Sequence, residues 1–330
     1  MNHRFSSVLA PTIVRYLSLK ESLGRAYRVE RDVLAHLDSF LSSAGQDLST
    51  GTFQRWIMTR SHLASGVRRK WMSIVRNLCL YRRRTDPGCF VPDSSQFPSP
   101  HQTVRPYIFR ESEIAQLLAE TRHLRPGNHS PLHRQNTLLG LILLYTTGLR
   151  RGELLRLTLG DCDLSEGTLL VRESKFHKSR LLPLSRDALH AVEMLLRERR
   201  AKRLPLALES PLLWSGYGNG MYSGVGFAEN IQGLFRECGI RTAAGRLPRV
   251  HDLRHTFAVH ALLRWYRDGK DVQTKLPALA AYMGHVSIVS TQYYLHLVDE
   301  LAAVASERFQ SRYGTLIRPL RSEAPSGDQP

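Results

Sequence analysis

Cysteine is scarce in this chain, and what there is lies scattered. Cys79, Cys89, Cys162 and Cys238 are its four, and no two form a C-x-x-C pair. That spacing speaks against a zinc ribbon or a disulfide framework and fits a reducing cytosol. Long apolar runs are missing as well. The most apolar stretch, TLLGLILLY at 137–145, is far too short to span a bilayer and reads as a buried helix. No charged segment followed by an apolar run opens the chain, so no secretory signal is expected. These absences predict a soluble, cytoplasmic protein with no membrane partner.

Acidic residues are in deficit. Against 46 Lys and Arg stand 29 Asp and Glu, a formal net charge of +17 over 330 residues. Hydrophobic content is 42%, ordinary for a globular chain, so the charge does not signal disorder. An excess of this size favours a polyanionic partner, most simply nucleic acid, whose phosphates give up counterions to Lys and Arg. It is also uneven. Residues 1–108 hold 16 basic and 7 acidic residues, while 109–330 hold 30 and 22 over twice the length. The N-terminal third is the denser electropositive surface.

What is present is mostly helical periodicity. In the stretch from Val8 to Gly45, Val33, Leu34, Leu37, Phe40 and Leu41 share one face. A second helical pattern runs through LSTGTFQRWIMTR. The third, SHLASGVRRKWMSIVRNLCLYRRR, sets Arg68, Arg69, Lys70 and Arg76 against Trp71, Ile74, Val75 and Leu78, an amphipathic helix with a cationic face. A solvated face would look the same. Periodicity then stops in a stretch with five prolines. The expected organisation is a basic helical domain over 1–85, a linker over 86–106, a larger domain over 107–312 and a polar tail over 313–330. The larger domain opens with FRESEIAQLLAETR, for which Ser112 is the expected N-cap. TLLVRE and SRLLPL read as a β-hairpin joined by SKFHK, and helices follow on both sides. The fold class is mainly α, with one small β element.

Three strings place polar groups in apolar surroundings. In YTTGLRRGELLRL, Glu153 lies one helical turn past Arg150 and can hold its guanidinium. In HDLRHTFAVH, His251, Arg254 and His255 can share a helical face. GH at 284–285 precedes Tyr294 by nine residues. Singly, each has a structural explanation: an arginine capping a helix, a packed histidine, an aromatic pair at Tyr293 and Tyr294. The H-x-x-x-H spacing of His251 and His255 also suggests a zinc protease helix, but Asp252 stands where that motif needs Glu.

In combination and order, the strings resemble the tyrosine recombinase family (phage integrases and Xer-type site-specific recombinases). The likeness covers most of 107–300, and the basic N-terminal region resembles that family's helical, SAM-like core-binding domain. Arg150 matches the first active-site arginine and Lys175 the hairpin lysine, with Lys178 a rival. His251 and Arg254 match HxLRH, His285 the position held by His or Trp, and Tyr294 the nucleophile, with Tyr293 adjacent. The segment RWYRDGKDVQTKLPALAAYMGH is longer than the family's usual one, and its wording resembles transposon-borne members.

The resemblance implies a two-domain, C-shaped clamp around double-stranded DNA. Tyr294 would form a 3′-phosphotyrosine and release a 5′-hydroxyl, with strand exchange through a Holliday junction. Two arginines suit the charge that grows on the phosphate's non-bridging oxygens. A tyrosine hydroxyl, with its pKa near 10, needs a base, a part open to His251. Lys175 would protonate the departing oxygen, and His285 would hydrogen-bond the phosphate. The family works without metal, cofactor or ATP. The apolar pattern LHLVDELAAVASERF resembles the C-terminal helix that joins protomers, implying a homo- or hetero-tetramer on DNA, with sister recombinases as further partners. Arg68, Arg69 and Lys70, then Arg82, Arg83 and Arg84, are the expected DNA contacts, mostly to phosphates. A catalytically silent DNA-binding accessory protein and a type IB topoisomerase-like enzyme are the alternatives. Retention of all six active-site positions argues against the first.

Overall fold

The protein is described here by a computed structural model covering residues 5–99, 105–127, 130–172, 179–285, 287, 289–296 and 306. The chain divides into two compact units, Met1–Val104 and Arg105–Pro330.

Among its described residues the first unit holds four α-helices, α1 (Ala10–Ser22), α2 (Arg28–Ala44), α3 (Thr50–Met58) and α4 (Ser65–Arg82). The expected pattern over 8–45 is thus broken at 23–27. Each helix buries one stripe: Leu34, Leu37 and Leu41 from α2, Trp56 from α3, and Val75 and Leu78 from α4. A reciprocal cap starts α3. The Ser49 amide donates to Thr52 Oγ1 at 2.6 Å, and the Thr52 amide to Ser49 Oγ at 3.2 Å. Part of the expected linker belongs to this core. Phe97 is buried in it, with Phe90 and Val91 packed alongside. Proline stops helical periodicity, but it does not stop neighbouring aromatics from burying themselves.

The second unit is mainly helical with a small antiparallel sheet. Helix α5 (Glu111–Glu120) begins two residues earlier than Ser112 capping would require. Arg110 is its N-cap, and the Arg110 amide donates to Glu113 Oε2 at 2.8 Å. Next come α6 (His133–Thr147), the single turn α7 (Arg151–Leu154), and strands β1 (Cys162–Asp163), β2 (Thr168–Val171) and β3 (Arg180–Pro183). The hairpin β2–β3 pairs Leu169 with Leu182 and Leu170 with Leu181. The short β1 adds to the expected hairpin; two residues are too few to show alternation. Leu169, Val171 and Leu182 face the core, while Leu181 is exposed.

After the sheet come α8 (Arg186–Ala201) and α9 (Gly224–Glu237), capped by Ser185 and Ser223. Then follow α10 (Asp252–Arg267), α11 (Val272–Met283) and α12 (Val289–Gln292), and a 3₁₀ turn over Tyr293–His296. Helix α6 packs against both α8 and α10, which is why TLLGLILLY is apolar nearly all round. The longer segment between HxLRH and GH is accounted for by the end of α10 and all of α11. Among the described residues, no helix is long and apolar enough to cross a membrane.

Candidate active site

Two glycine-ended helices frame the site. Gly148 ends α6 at φ 61° and Gly284 ends α11 at φ 68°, a left-handed conformation that glycine adopts at least cost. Their neighbourhoods leave no room for a side chain. A Cβ on Gly148 would lie 2.4 Å from the Phe257 ring, and one on Gly284 would lie 2.8 Å from Arg180 Nη1.

Arg150 follows the first of these turns and is the N-cap of α7. Its amide donates to Glu153 Oε2 at 3.0 Å and its Nη1 to Glu153 Oε1 at 2.7 Å. Its Nη2 reaches the Gly284 carbonyl at 3.1 Å. Arg254, on the first turns of α10, is 1% exposed. It donates to the Gly148 carbonyl through Nη1 and to the Met283 carbonyl, at 2.7 Å, through Nη2. The two arginines, more than a hundred residues apart in sequence, thus hang from adjacent carbonyls of one turn. Burial, then the charge of Arg150, lowers the Arg254 pKa to about 10, so it stays cationic at neutral pH.

A third arginine, which no motif singles out, enters the site. Arg180, the first residue of β3, donates through Nη2 to Glu153 Oε2 at 2.8 Å and through Nε to the Tyr282 carbonyl at 2.9 Å. Buried Glu153 therefore serves two guanidinium groups and ties the hairpin to α7 and α11. One arginine opening an apolar strand is its only trace in the sequence.

Tyr294 is 3% exposed and belongs to the buried cluster that includes Leu262, Leu276, Leu279 and Met283. Its hydroxyl meets His255 Nδ1 at 3.1 Å, the closing histidine of the HxLRH string. His285 lies parallel to the tyrosine ring, centroids 6.3 Å apart, and its Nδ1 meets Thr291 Oγ1 at 2.8 Å. His251 is exposed and stands edge to face against His255, centroids 4.8 Å apart. All three imidazoles are lowered to about 4. Burial is the main cause each time, followed by Arg254 for His251 and His285 and by His251 for His255. His251 keeps an exposed edge, so solvent discounts its shift relative to those of the other two rings. All three are neutral at pH 7.

Lys175 and Lys178 lie outside the described residues, as do the Tyr293 side chain, the tail over 313–330 and, Ser306 apart, the expected C-terminal helix from residue 297 onward. Among the described residues, no three His, Cys, Asp or Glu side chains are grouped to hold a metal ion.

In the first unit, the expected DNA contacts divide. Lys70, Arg83 and Arg84 are exposed, and Arg68 is half-buried. Arg69 spends Nη1 on the Pro98 carbonyl at 2.7 Å. Arg82 is engaged by carboxylates: its Nη1 and Nη2 reach Asp47 at 2.8 and 2.6 Å, and its Nε reaches Asp86 at 3.0 Å. Those bonds hold Asp47 below the usual carboxylate range. A run of three arginines in sequence says nothing of which one folds back onto an aspartate.

This architecture recurs in solved recombinase structures. One is the XerH site-specific recombinase bound to its palindromic difH substrate (TM-score 0.60, 16% identity, 86% of this chain and 78% of the other). Another is the Tn1549 transposon integrase in complex with a circular intermediate DNA (TM-score 0.61, 16% identity, 92% of this chain and 100% of the other). In sequence, a Sinorhizobium fredii protein described as an integrase/recombinase, y4rB, is 30% identical over 310 residues, covering 93% of this chain and 98% of the relative. The tyrosine recombinase XerD of Rhizobium meliloti is 29% identical over 286 residues, 82% of this chain and 84% of the relative. Residues 108–300 match the phage integrase family. Fold and sequence together define a DNA strand breakage and rejoining enzyme. The chain belongs to the phage integrase family, the tyrosine recombinases.

Proposed function

We propose that this protein is a site-specific recombinase of a mobile element, with Tyr294 as the nucleophile. The observation that carries the reading is the suspension of Arg150 and Arg254 from the Gly284 and Met283 carbonyls. That arrangement fixes two cations side by side in the unit that also holds the Tyr294 hydroxyl. A phosphodiester between them would have its growing negative charge met by preorganised donors, the largest contribution such a site can make. Attack by Tyr294 would form a 3′-phosphotyrosine and free a 5′-hydroxyl. Because a phosphoester replaces a phosphoester, the reverse attack by another strand's 5′-hydroxyl needs no ATP. His251 and His285 would contact the phosphate, and Lys175 or Lys178 would protonate the departing oxygen.

The mobile-element context rests on the LPALAAYMGH wording and on likeness to the transposon integrase. By family analogy, a tetramer on DNA, joined through the C-terminal segment and including sister recombinases, would clamp the duplex and exchange strands through a Holliday junction, in the cytoplasm. The test is a suicide duplex, nicked beside the cleavage point, drawn from inverted repeats flanking the gene. Wild-type protein and Tyr293→Phe should form the covalent adduct, and Tyr294→Phe should bind the DNA without forming it. No adduct from wild type would favour an accessory role. Adduct without recombinant product would favour topoisomerase-like relaxation.

A further inference from the structure

The HxLRH string offers His251 as acceptor of the tyrosine proton, whereas the side chain that meets the hydroxyl is His255. We propose that His255, through Nδ1, is the general base for Tyr294, a role that the family motif would give to His251. This inference rests on the reading of Tyr294 as nucleophile. His255 Nδ1 lies 3.1 Å from the hydroxyl oxygen, within reach of direct proton transfer. Both partners are held. Tyr294 is packed into the α10–α11 core, and His255 is fixed on α10 with His251 against one side of its ring. A neutral imidazole has one free lone pair, and burial together with His251 keeps His255 neutral at pH 7.

The step balances without further reagents. The Tyr294 O–H bond breaks and its proton passes to Nδ1. The phenolic oxygen bonds to phosphorus, and the bond from phosphorus to the 5′ oxygen breaks. The departing oxygen takes a proton from an acid of the ammonium class. Religation reverses each transfer, with His255 returning its proton to the tyrosine oxygen. Nearby Arg249 and Arg254 oppose a positive imidazole in the free protein, while Asp252 favours it. A phosphate anion arriving beside Arg254 would offset those cations and raise the basicity of His255 when DNA is bound. Proton transfer is thereby tied to substrate.

The experiment compares wild type, His255→Ala, His255→Gln, His251→Gln and Tyr294→Phe on the nicked suicide duplex. A second duplex carries a bridging sulfur at the 5′ leaving position, which removes the need for an acid. Loss of a general base should slow adduct formation by both His255 variants about 100-fold or more on both duplexes. DNA binding in gel shift should hold, and added imidazole should speed His255→Ala but not His255→Gln. Adduct formation at the wild-type rate by either His255 variant would overturn the assignment, as would a loss confined to His251→Gln. A reading independent of mutation is the ring ¹⁵N spectrum of the intact protein, where Nδ1 must be the unprotonated nitrogen at pH 7; a protonated Nδ1 overturns the proposal. Absence of adduct from wild type, or adduct from Tyr294→Phe, would instead sink the nucleophile reading itself.

Discussion

Glu153 is a buried carboxylate shared by Arg150 and Arg180, and its removal should be felt twice. Glu153→Gln leaves two guanidinium groups without their counter-charge, one of them on an 11%-exposed side chain. Breaking a buried pair from one side costs about 3 to 5 kcal/mol, and urea unfolding should show a loss in that range. Adduct formation should fall as well, because Arg150 loses the partner that aims it. The imidazoles predict a pH effect. His251, His255 and His285 sit near 4 in the native state, against an ordinary value near 6.5 in the unfolded chain. Between about pH 6.5 and 4 the unfolded chain therefore binds protons that the native chain does not. Stability is full above that window and falls as pH drops through it. Urea midpoints measured at pH 7 and pH 5 should differ in that direction, and less so in His255→Gln.

Helix ends, rather than helix bodies, build the site. The C-terminal turns of α6 and α11 supply the carbonyls that hold the arginines, and each turn depends on its glycine. At Gly148, a side chain would meet the rigid Phe257 ring as well as an unfavourable φ. The left-handed backbone alone costs about 1 to 2 kcal/mol, so Gly148→Ala should lose at least about 2 kcal/mol in urea unfolding. Gly284→Ala meets only the movable head of Arg180. It should cost about 1 kcal/mol in stability, yet depress adduct formation more, since shifting Arg180 disturbs Glu153. Much of the helical framework is legible in periodicity: α4, α8 and α10 fall where apolar spacing puts them. The start of α5 departs from the Ser112 expectation because Glu113 bonds the Arg110 amide, so the cap lies two residues before Ser112. Strand β1 has no signature of its own, since its two residues pair only by virtue of their neighbours.

The whole chain carries its densest charge in the first unit, but not all of that charge is available. Lys70, Arg83 and Arg84 face solvent, whereas Arg82 is committed to Asp47 and Asp86. Replacing the exposed three by Ala should reduce the salt dependence of DNA affinity by about 0.9 in logarithmic slope for each phosphate no longer neutralised. Arg82→Ala should leave that slope unchanged and cost up to about 1 kcal/mol of stability, as a partly exposed ion pair does. Titration of binding against salt separates the two sets.

Local pattern was enough for the family, the mainly helical class and the basic first unit, and it singles out Arg150, Arg254, His285 and Tyr294 as the residues to look for. Helical periodicity and short ordered motifs survive in one dimension, because each depends on residues a turn or a few residues apart. The neighbours of those side chains were not there to be read. Arg180 reaches Glu153 across 27 positions, Arg254 reaches Gly148 across 106, and His255 reaches Tyr294 across 39. Contacts of that kind exist only once α6, α10, α11 and the hairpin have packed together. The residues at stake were therefore visible in the chain, but their pairing, and with it the path proposed for the tyrosine proton, belongs to the fold.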